Sequence, residues 1–209
     1  ADIISPASFL RAQSGINTDR LIGLGICQGS SEMLRAVAED EVLAAGVTLA
    51  GQYRDREGDI AWLTEEGYAA RLAKGQAAKA KYLATGEIDY VAGVDEFDMD
   101  VGMPGKFVWD WYHVWADKGL WDNRYAVMSD ADLLPYESIS AARSLDKPYL
   151  LIHSDNSFLP DAARRHFDAM PSARKTLLWE GDTPHLSYYD QPDILARTVA
   201  SIDSWTAHL

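Results

Sequence analysis

Leu21-Ile22-Gly23-Leu24-Gly25-Ile26-Cys27-Gln28-Gly29-Ser30-Ser31 is the stretch on which the reading of the fold turns. Leu21 to Ile26 is apolar or glycine throughout and reads as a short, fully buried strand. From Gln28 to Glu39 apolar residues recur at helical spacing, with Met33, Leu34 and Val37 on one face. Cys27 therefore falls between a strand and a helix, inside Gly25-x-Cys27-x-Gly29. A nucleophile raised on a sharp strand-to-helix turn needs this setting. Its backbone is strained, and a Cβ two positions to either side is expected to collide with neighbouring backbone. The helix start places free N–H groups and the positive end of the dipole beside the sulfur, which favours a thiolate or an oxyanion. The N–H of Gln28, the next residue, is the expected oxyanion donor.

Outward from this turn, strand and helix alternate. Asp2 to Ala12 has helical spacing and is expected to stop before Ser14-Gly15, and Val47 to Ala50 is a second strand. Strand, helix, strand is the pattern of a parallel sheet. From Gln52 to Lys147 the chain becomes polar, acidic and aromatic, with one long helix over Glu65 to Thr85 or two broken near Gly75. Alternation then resumes: strand Pro148 to His153, helix Asp161 to Met170, strand Lys175 to Trp179, and a closing amphipathic helix Asp193 to His208. The expected organisation is an α/β core from residues 1–51 and 148–209, a mostly parallel sheet with helices on both faces. A helical, aromatic-rich lid, residues 52–147, is inserted into it.

The loops after the later strands supply partners for Cys27. Ser154-Asp155-Asn156-Ser157 follows one strand and holds an acid; Glu180-Gly181-Asp182-Thr183-Pro184-His185 follows the last strand. Cys27, Asp155 and His185 thus run in the order nucleophile, acid, histidine, each at a strand end.

The chain resembles the α/β-hydrolase superfamily, nearest its dienelactone-hydrolase-like branch with a cysteine nucleophile. The resemblance is carried by NTDRLIGLGICQGS (17–30), RYAVMSDADLLPYESISAARSLDKPYLLIHSDNSFLPDAARRHFDAMP (124–171) and LLWEGDTPHLSYYDQP (177–192). It covers the C-terminal two-thirds of that fold. It implies a hydrolase that cleaves a small or medium ester, lactone or thioester through Cys27, His185 and Asp155 and an acyl-enzyme, with no cofactor and no metal. His185 is expected to take the Cys27 proton or hold it as an ion pair. A non-hydrolytic relative, an acyl transferase, a cyclase or a binding subunit, is the alternative.

Three departures from the family pattern stand out. The family's elbow follows a fifth strand, whereas here one helix precedes it. The missing strands, and the second oxyanion donor they carry, are expected from a second chain or from a part of the protein lost from this one, since a parallel sheet without them exposes an apolar edge; a homo-oligomer is the other possibility. The family acid lies four residues before the loop proline, which from Pro160 gives Asn156 rather than Asp155, so either residue is a candidate to orient His185. Ser30 replaces a frequent third glycine and is small enough for close packing.

Trp111, Tyr112 and Trp115 lie in an aromatic run, Phe107 to Tyr125, that reads as packing or as an apolar roof over the nucleophile; Tyr188, just past His185, is a further candidate to line that pocket. Asp95, Glu96, Asp98 and Asp100 form a solvated acidic loop without calcium-loop spacing. His153 ends a strand, and His166 and His208 are expected on helices near the surface.

The 209 residues carry 19 Lys and Arg against 32 Asp and Glu, a net charge of −13. Such a chain repels phosphate backbones and anionic lipid, which argues against nucleic-acid or membrane partners and for a small-molecule substrate. No apolar run approaches the roughly 18 residues of a membrane span. No basic-then-apolar leader is visible at residues 1–10, and a single cysteine fits a reducing compartment, so a cytoplasmic location is expected.

Overall fold

The computed structural model describes residues 2–209. In chain order the elements are α1 (Ile4–Arg11), β1 (Ile22–Ile26), α2 (Gly29–Glu39), β2 (Ala45–Leu49), α3 (Arg56–Leu63), α4 (Glu65–Thr85), β3 (Tyr90–Val91), α5 (Lys106–Asp117), β4 (Tyr125–Ala126), α6 (Asp130–Leu133), α7 (Ile139–Ala142), β5 (Tyr149–His153), α8 (Pro160–Ala169), β6 (Lys175–Trp179), α9 (Ser187–Asp190) and α10 (Pro192–Thr206). They divide into two compact units: residues up to Gly58 with Glu137–Leu209, and Asp59–Tyr136.

The first unit is built on a sheet of order β1-β2-β5-β6, every pair parallel. One sheet face buries Tyr149 and Leu151 under Leu34 and Val37 of α2, Ala141 and Ala142 of α7, and Ala162 and Ala163 of α8. The other buries Val47, Leu49, Leu150 and Ile152 against Tyr188 and the α10 residues Ile194, Ile202 and Trp205. Alternate side chains of β2 and β5 thus face opposite layers, and both strands are buried along their whole length, as their near-continuous apolar runs require.

β1 departs from the expectation of full burial. It is an edge strand of this sheet, and Leu24 and Ile26 are 51% and 42% exposed. Its opposite face is closed, because Gly23 and Gly25 let α2 lie against the backbone: a Cβ on Gly23 would stand 2.2 Å from Met33 Sδ.

The excursion between β2 and β5 is shorter than its polar composition implies. Gln52 to Asp55 and Ser138 belong to the first unit: Ser31 Oγ donates to the Gln52 carbonyl, the Arg54 N–H donates to Ser31 Oγ, and the Ser138 N–H donates to the Arg54 carbonyl. These buried polar groups satisfy one another, so a polar sequence sits inside the core unit.

Within the second unit α4 is one unbroken helix across Gly75, where a Cβ would come within 2.8 Å of Ala131 N and Asp130 Cβ. β3 and β4 pair antiparallel, a small sheet the sequence reading lacks. Arg71 of α4 ties the unit together: its Nε donates to Asp130 at 2.8 Å, and its terminal nitrogens donate to the Val101 and Gly102 carbonyls. The acidic loop closes on itself, Asp95 accepting the N–H groups of Phe97 and Asp98 and Asp98 that of Asp100. No helix among the described residues is long and apolar enough to cross a membrane.

Candidate active site

All four parallel strands end on the same side, and Cys27, Asp155 and His185 lie in the loops that follow β1, β5 and β6. Cys27 has φ 52°, a left-handed conformation that a residue with a Cβ adopts at a cost of roughly 1–2 kcal/mol. Hydrogen bonds hold it there. The Cys27 N–H donates to the Leu49 carbonyl, and the Cys27 carbonyl accepts from Ser30 N–H and Gln52 N–H. Gly25 is required by the close return of the helix, since a Cβ there would meet the Gly29 carbonyl oxygen at 2.5 Å and Ser30 Cα at 2.8 Å. Gly29 is different from the expectation: nothing lies within 4 Å of where its Cβ would be, because α2 leads away from the sheet at that point. Ser30 is fully buried, with Oγ donating to the Gly25 carbonyl.

The sulfur is half-buried at the start of α2. Burial pushes the Cys27 thiol up, and the negative charge of Glu32 adds to this; hydrogen bonds from the Tyr189 side chain and the Gln28 backbone oppose it. Gln28, expected to supply the oxyanion donor, is the N-cap of α2 directly after Cys27. Glu32 sits one turn into α2. Burial pushes its carboxyl up as well, and its Oε2 is buried without a hydrogen-bond partner.

His185 is buried and clamped by backbone. Its N–H donates to the Asn156 carbonyl, and its Nδ1 accepts the Phe158 N–H at 3.3 Å. Its Nε2 lies 3.2 Å from the Tyr189 hydroxyl. Burial, with a smaller contribution from nearby His153, depresses its pKa from 6.5 to about 4. The ring is thus neutral near pH 7, and among the described residues no carboxylate contacts it.

Asp155, expected as the orienting acid, is turned the other way. Its side chain is 56% exposed and accepts from Arg164 at 2.6 Å. The Arg164 guanidinium in turn covers the Trp179 ring at 3.8 Å. Arg164 holds the Asp155 carboxyl below the usual carboxylate range. Asn156 does not orient His185 through its side chain, whose amide donates to the Asp182 carbonyl. The two loops are joined by hydrogen bonds onto the main-chain carbonyls of the second: Asp155 N–H to Gly181 O, the Asn156 side-chain amide to Asp182 O, and Ser154 Oγ to Thr183 O.

Tyr188 is a core residue, 1% exposed among Val47, Leu49 and Ile152, and lines no opening. The tyrosine of this segment that contacts His185 is its neighbour, Tyr189. Tyr189 was legible in principle, since it stands four residues after His185, one helical turn on. Trp111, Tyr112 and Trp115 are half-buried on α5, where Trp111 packs on both of the others and Tyr112 packs on Trp121. His166 is fully buried rather than near the surface: Nδ1 donates to the Ala162 carbonyl, and Nε2 faces the Ser138 hydroxyl. His153 is buried between the Ser154 and Gly51 carbonyls, and His208 is exposed. Among the described residues no group of three or more His, Cys, Asp or Glu could hold a metal.

No protein-family model and no curated protein matches the sequence. Solved structures match the fold across the whole chain. PA2218, a hypothetical protein of Pseudomonas aeruginosa, aligns with 100% of this chain and 67% of its own at 20% identity and TM-score 0.78. The α/β hydrolase GrgF from Penicillium sp. sh18 aligns with 99% and 71% at 18% identity and TM-score 0.74. A monoacylglycerol lipase from Paleococcus ferrophilus aligns with 100% and 74% at 15% identity and TM-score 0.64. With its parallel sheet, helices on both faces and left-handed cysteine between the edge strand and the helix behind it, the chain has the α/β-hydrolase fold.

Proposed function

We propose that this protein is a cysteine-nucleophile hydrolase acting on a small or medium carboxylic ester, lactone or thioester. The observation that carries the reading is the left-handed Cys27 at the start of α2, with Gln28 as the helix N-cap and His185 in the loop after β6 at the same end of the parallel sheet. The Cys27 thiol gives its proton to solvent, the thiolate adds to the carbonyl carbon, forming a C–S bond, and the carbonyl oxygen becomes an oxyanion for which the Gln28 N–H is the expected donor. Collapse re-forms the carbonyl and breaks the bond to the leaving oxygen or sulfur, which departs as an anion and takes a proton from solvent. Water then attacks the thioester, releasing the carboxylic acid and the thiol. Thiolate nucleophiles suit poorly basic leaving groups, which favours enol esters, lactones and thioesters over amides. In the observed arrangement the His185 ring is held by the Phe158 N–H and the Tyr189 hydroxyl; Asp155 completes a Cys–His–Asp set only on leaving Arg164.

One observation favours a second reading, an acyl transferase or cyclase built on the same acyl-enzyme. The Phe158 N–H occupies Nδ1, so the neutral ring keeps its proton on Nε2 and has no free basic nitrogen for water. Without a base to favour water, a hydroxyl or amine of the substrate itself competes for the thioester through its proximity.

p-Nitrophenyl ester turnover, with iodoacetamide labelling and Cys27→Ala as control, tests the first reading. Loss of both in the variant is expected, and equal turnover in the two proteins overturns it. Adding an alcohol acceptor separates the readings: hydrolysis yields the acid alone, transfer yields the new ester.

A further inference from the structure

Glu32 lies one turn along α2 from the Cys27 bend, and its two carboxyl oxygens meet different surroundings. Oε1 accepts from the Gln28 side-chain amide at 3.5 Å, across one helical turn. Helical side chains lean back toward the N-terminus, and this bond brings the carboxyl back over the residue that follows Cys27. Oε2 is buried and has no hydrogen-bond partner. Buried polar atoms are almost always paired, and an acceptor left unpaired is costly, more so on a group that can carry charge. The neighbouring side chains of the turn are satisfied from within: Ser30 Oγ donates to the Gly25 carbonyl and Ser31 Oγ to the Gln52 carbonyl. Oε2 of Glu32 is left for a bound group to satisfy.

We propose that Glu32 is a specificity-determining residue of the Cys27 site, its Oε2 accepting a hydrogen bond from a hydroxyl on C2 or C3 of the acyl group, so that the substrates are hydroxyacyl esters, lactones or thioesters. The inference rests on Cys27 being the nucleophile of the reading above and narrows its substrate class. In the acyl-enzyme the acyl group is tethered to Sγ, so its first carbons stay beside the first turn of α2 while the leaving group departs. From Gln28 to Glu32 the helix rises about 6 Å. The backward lean of Glu32 shortens that span to the reach of a hydroxyl two or three bonds from the carbonyl. The turn then matches the acyl group at two points: Gln28 is the expected donor to the carbonyl oxygen, and Glu32 is the acceptor for the hydroxyl. A neutral hydroxyl suits a half-buried carboxyl better than an ammonium, whose own burial carries a desolvation cost. A site built to pair a substrate hydroxyl rejects the analogue that lacks it, because the buried acceptor then stays unpaired.

N-Acetylcysteamine thioesters of butanoic, 2-hydroxybutanoic and 3-hydroxybutanoic acid form the probe set, with turnover followed by chromatography. In the unaltered protein one of the hydroxylated thioesters is expected to exceed the butanoyl thioester in kcat/KM by roughly tenfold or more, mostly through KM. Glu32→Gln keeps the size of the side chain and an oxygen for the Gln28 amide, but sets an amide nitrogen where Oε2 stood. It is expected to bring that ratio to about one, since the nitrogen cannot accept. A purely structural role lowers all three thioesters alike and leaves the ratio in place. That result overturns the proposal, as does equal turnover of the three by the unaltered protein, the outcome if water alone fills the place beside Oε2. Calorimetric titration of the same series into Cys27→Ala, which cannot form the acyl-enzyme, reads the hydroxyl preference without turnover; the Cys27→Ala, Glu32→Gln double variant is its control. Turnover without a preference removes Glu32 and leaves the hydrolase reading. A preference in binding that Glu32→Gln abolishes, without any turnover, supports the role of Glu32 and removes the hydrolase reading. Neither turnover nor binding removes both.

Discussion

The Asp155 carboxylate holds the Arg164 guanidinium at 2.6 Å and leaves the imidazole of His185 to the Phe158 N–H and the Tyr189 hydroxyl. Where a carboxylate orients a catalytic histidine, replacing it by its amide costs activity by about four orders of magnitude. With Asp155 spent on Arg164, Asp155→Asn is expected to lower ester turnover by less than about tenfold, the range of an exposed ion pair. A loss near the larger figure in steady-state turnover means that Asp155 moves to His185 during the reaction.

The two glycines of the turn are expected to behave in opposite ways. A Cβ at Gly25 meets the Gly29 carbonyl oxygen at 2.5 Å and Met33 Cβ at 2.8 Å, so α2 must move. Gly25→Ala is expected to cost about 1–3 kcal/mol or more, the range of overpacking. Gly29 has open space and a helical position, so Gly29→Ala is expected to be neutral or stabilising by up to about 1 kcal/mol. Urea denaturation of the two variants checks the contrast; equal destabilisation contradicts it.

The parts of this protein legible in its sequence are those set by local pattern. The strand-turn-helix around Cys27, the order of the later strands and helices, and the glycine at 25 follow from apolar periodicity and from the demands of a sharp turn. The burial of β1 was misread, because an apolar run looks the same at the middle or the edge of a sheet; neighbours, not sequence, decide that Leu24 is exposed. The partner of Asp155 is not legible for a similar reason. Asp155 has the right place after β5, but Arg164, nine residues on, captures it, and no short spacing rule reports a contact between a loop and the flank of the next helix. Tyr188 and Tyr189 are chemically alike in sequence, and a single residue of rotation sends one into the core and the other to His185.

Inside the second unit the Arg71–Asp130 pair is nearly buried, and Tyr125 also donates to Asp130. Removing one partner leaves an uncompensated charge, which costs about 3–5 kcal/mol in such settings. Asp130→Ala is expected to loosen this unit selectively. Limited proteolysis is then expected to cut first between Asp59 and Tyr136 while Leu34, Val37 and Leu151 remain protected in hydrogen exchange. Cleavage spread evenly over both units contradicts this.

The edge of the sheet is expected to drive association. β1 has an unpaired edge, and Leu24 and Ile26 add exposed apolar area beside it. Leu24→Lys places a charge on that edge without touching α2 or the Cys27 turn. Light scattering at rising concentration is expected to show association in the unaltered chain and less in the variant; identical curves would remove the edge as the cause.

Acid is expected to unfold the protein through its buried histidines. Burial lowers the pKa of His153, His166 and His185, the last from 6.5 to about 4. The folded His185 ring thus takes up its proton only near pH 4, whereas the unfolded chain takes it up near 6.5. Between these values the unfolded state binds more protons, so stability is at its full value above about 6.5 and declines as the pH falls toward about 4. For His185 the shift corresponds to about 3 kcal/mol at 1.36 kcal/mol per unit. His153 and His166 act in the same direction. Carboxylates held low by arginine, Asp55 by Arg165 and Asp155 by Arg164, lose their contribution only at still lower pH. Urea midpoints measured across this window are expected to fall steadily with pH, and His185→Gln is expected to flatten the slope. A slope unchanged in that variant would mean that the ring is protonated in the folded protein, and that the neutral Nε2–H on which the hydrogen bond to Tyr189 depends is not the resting state.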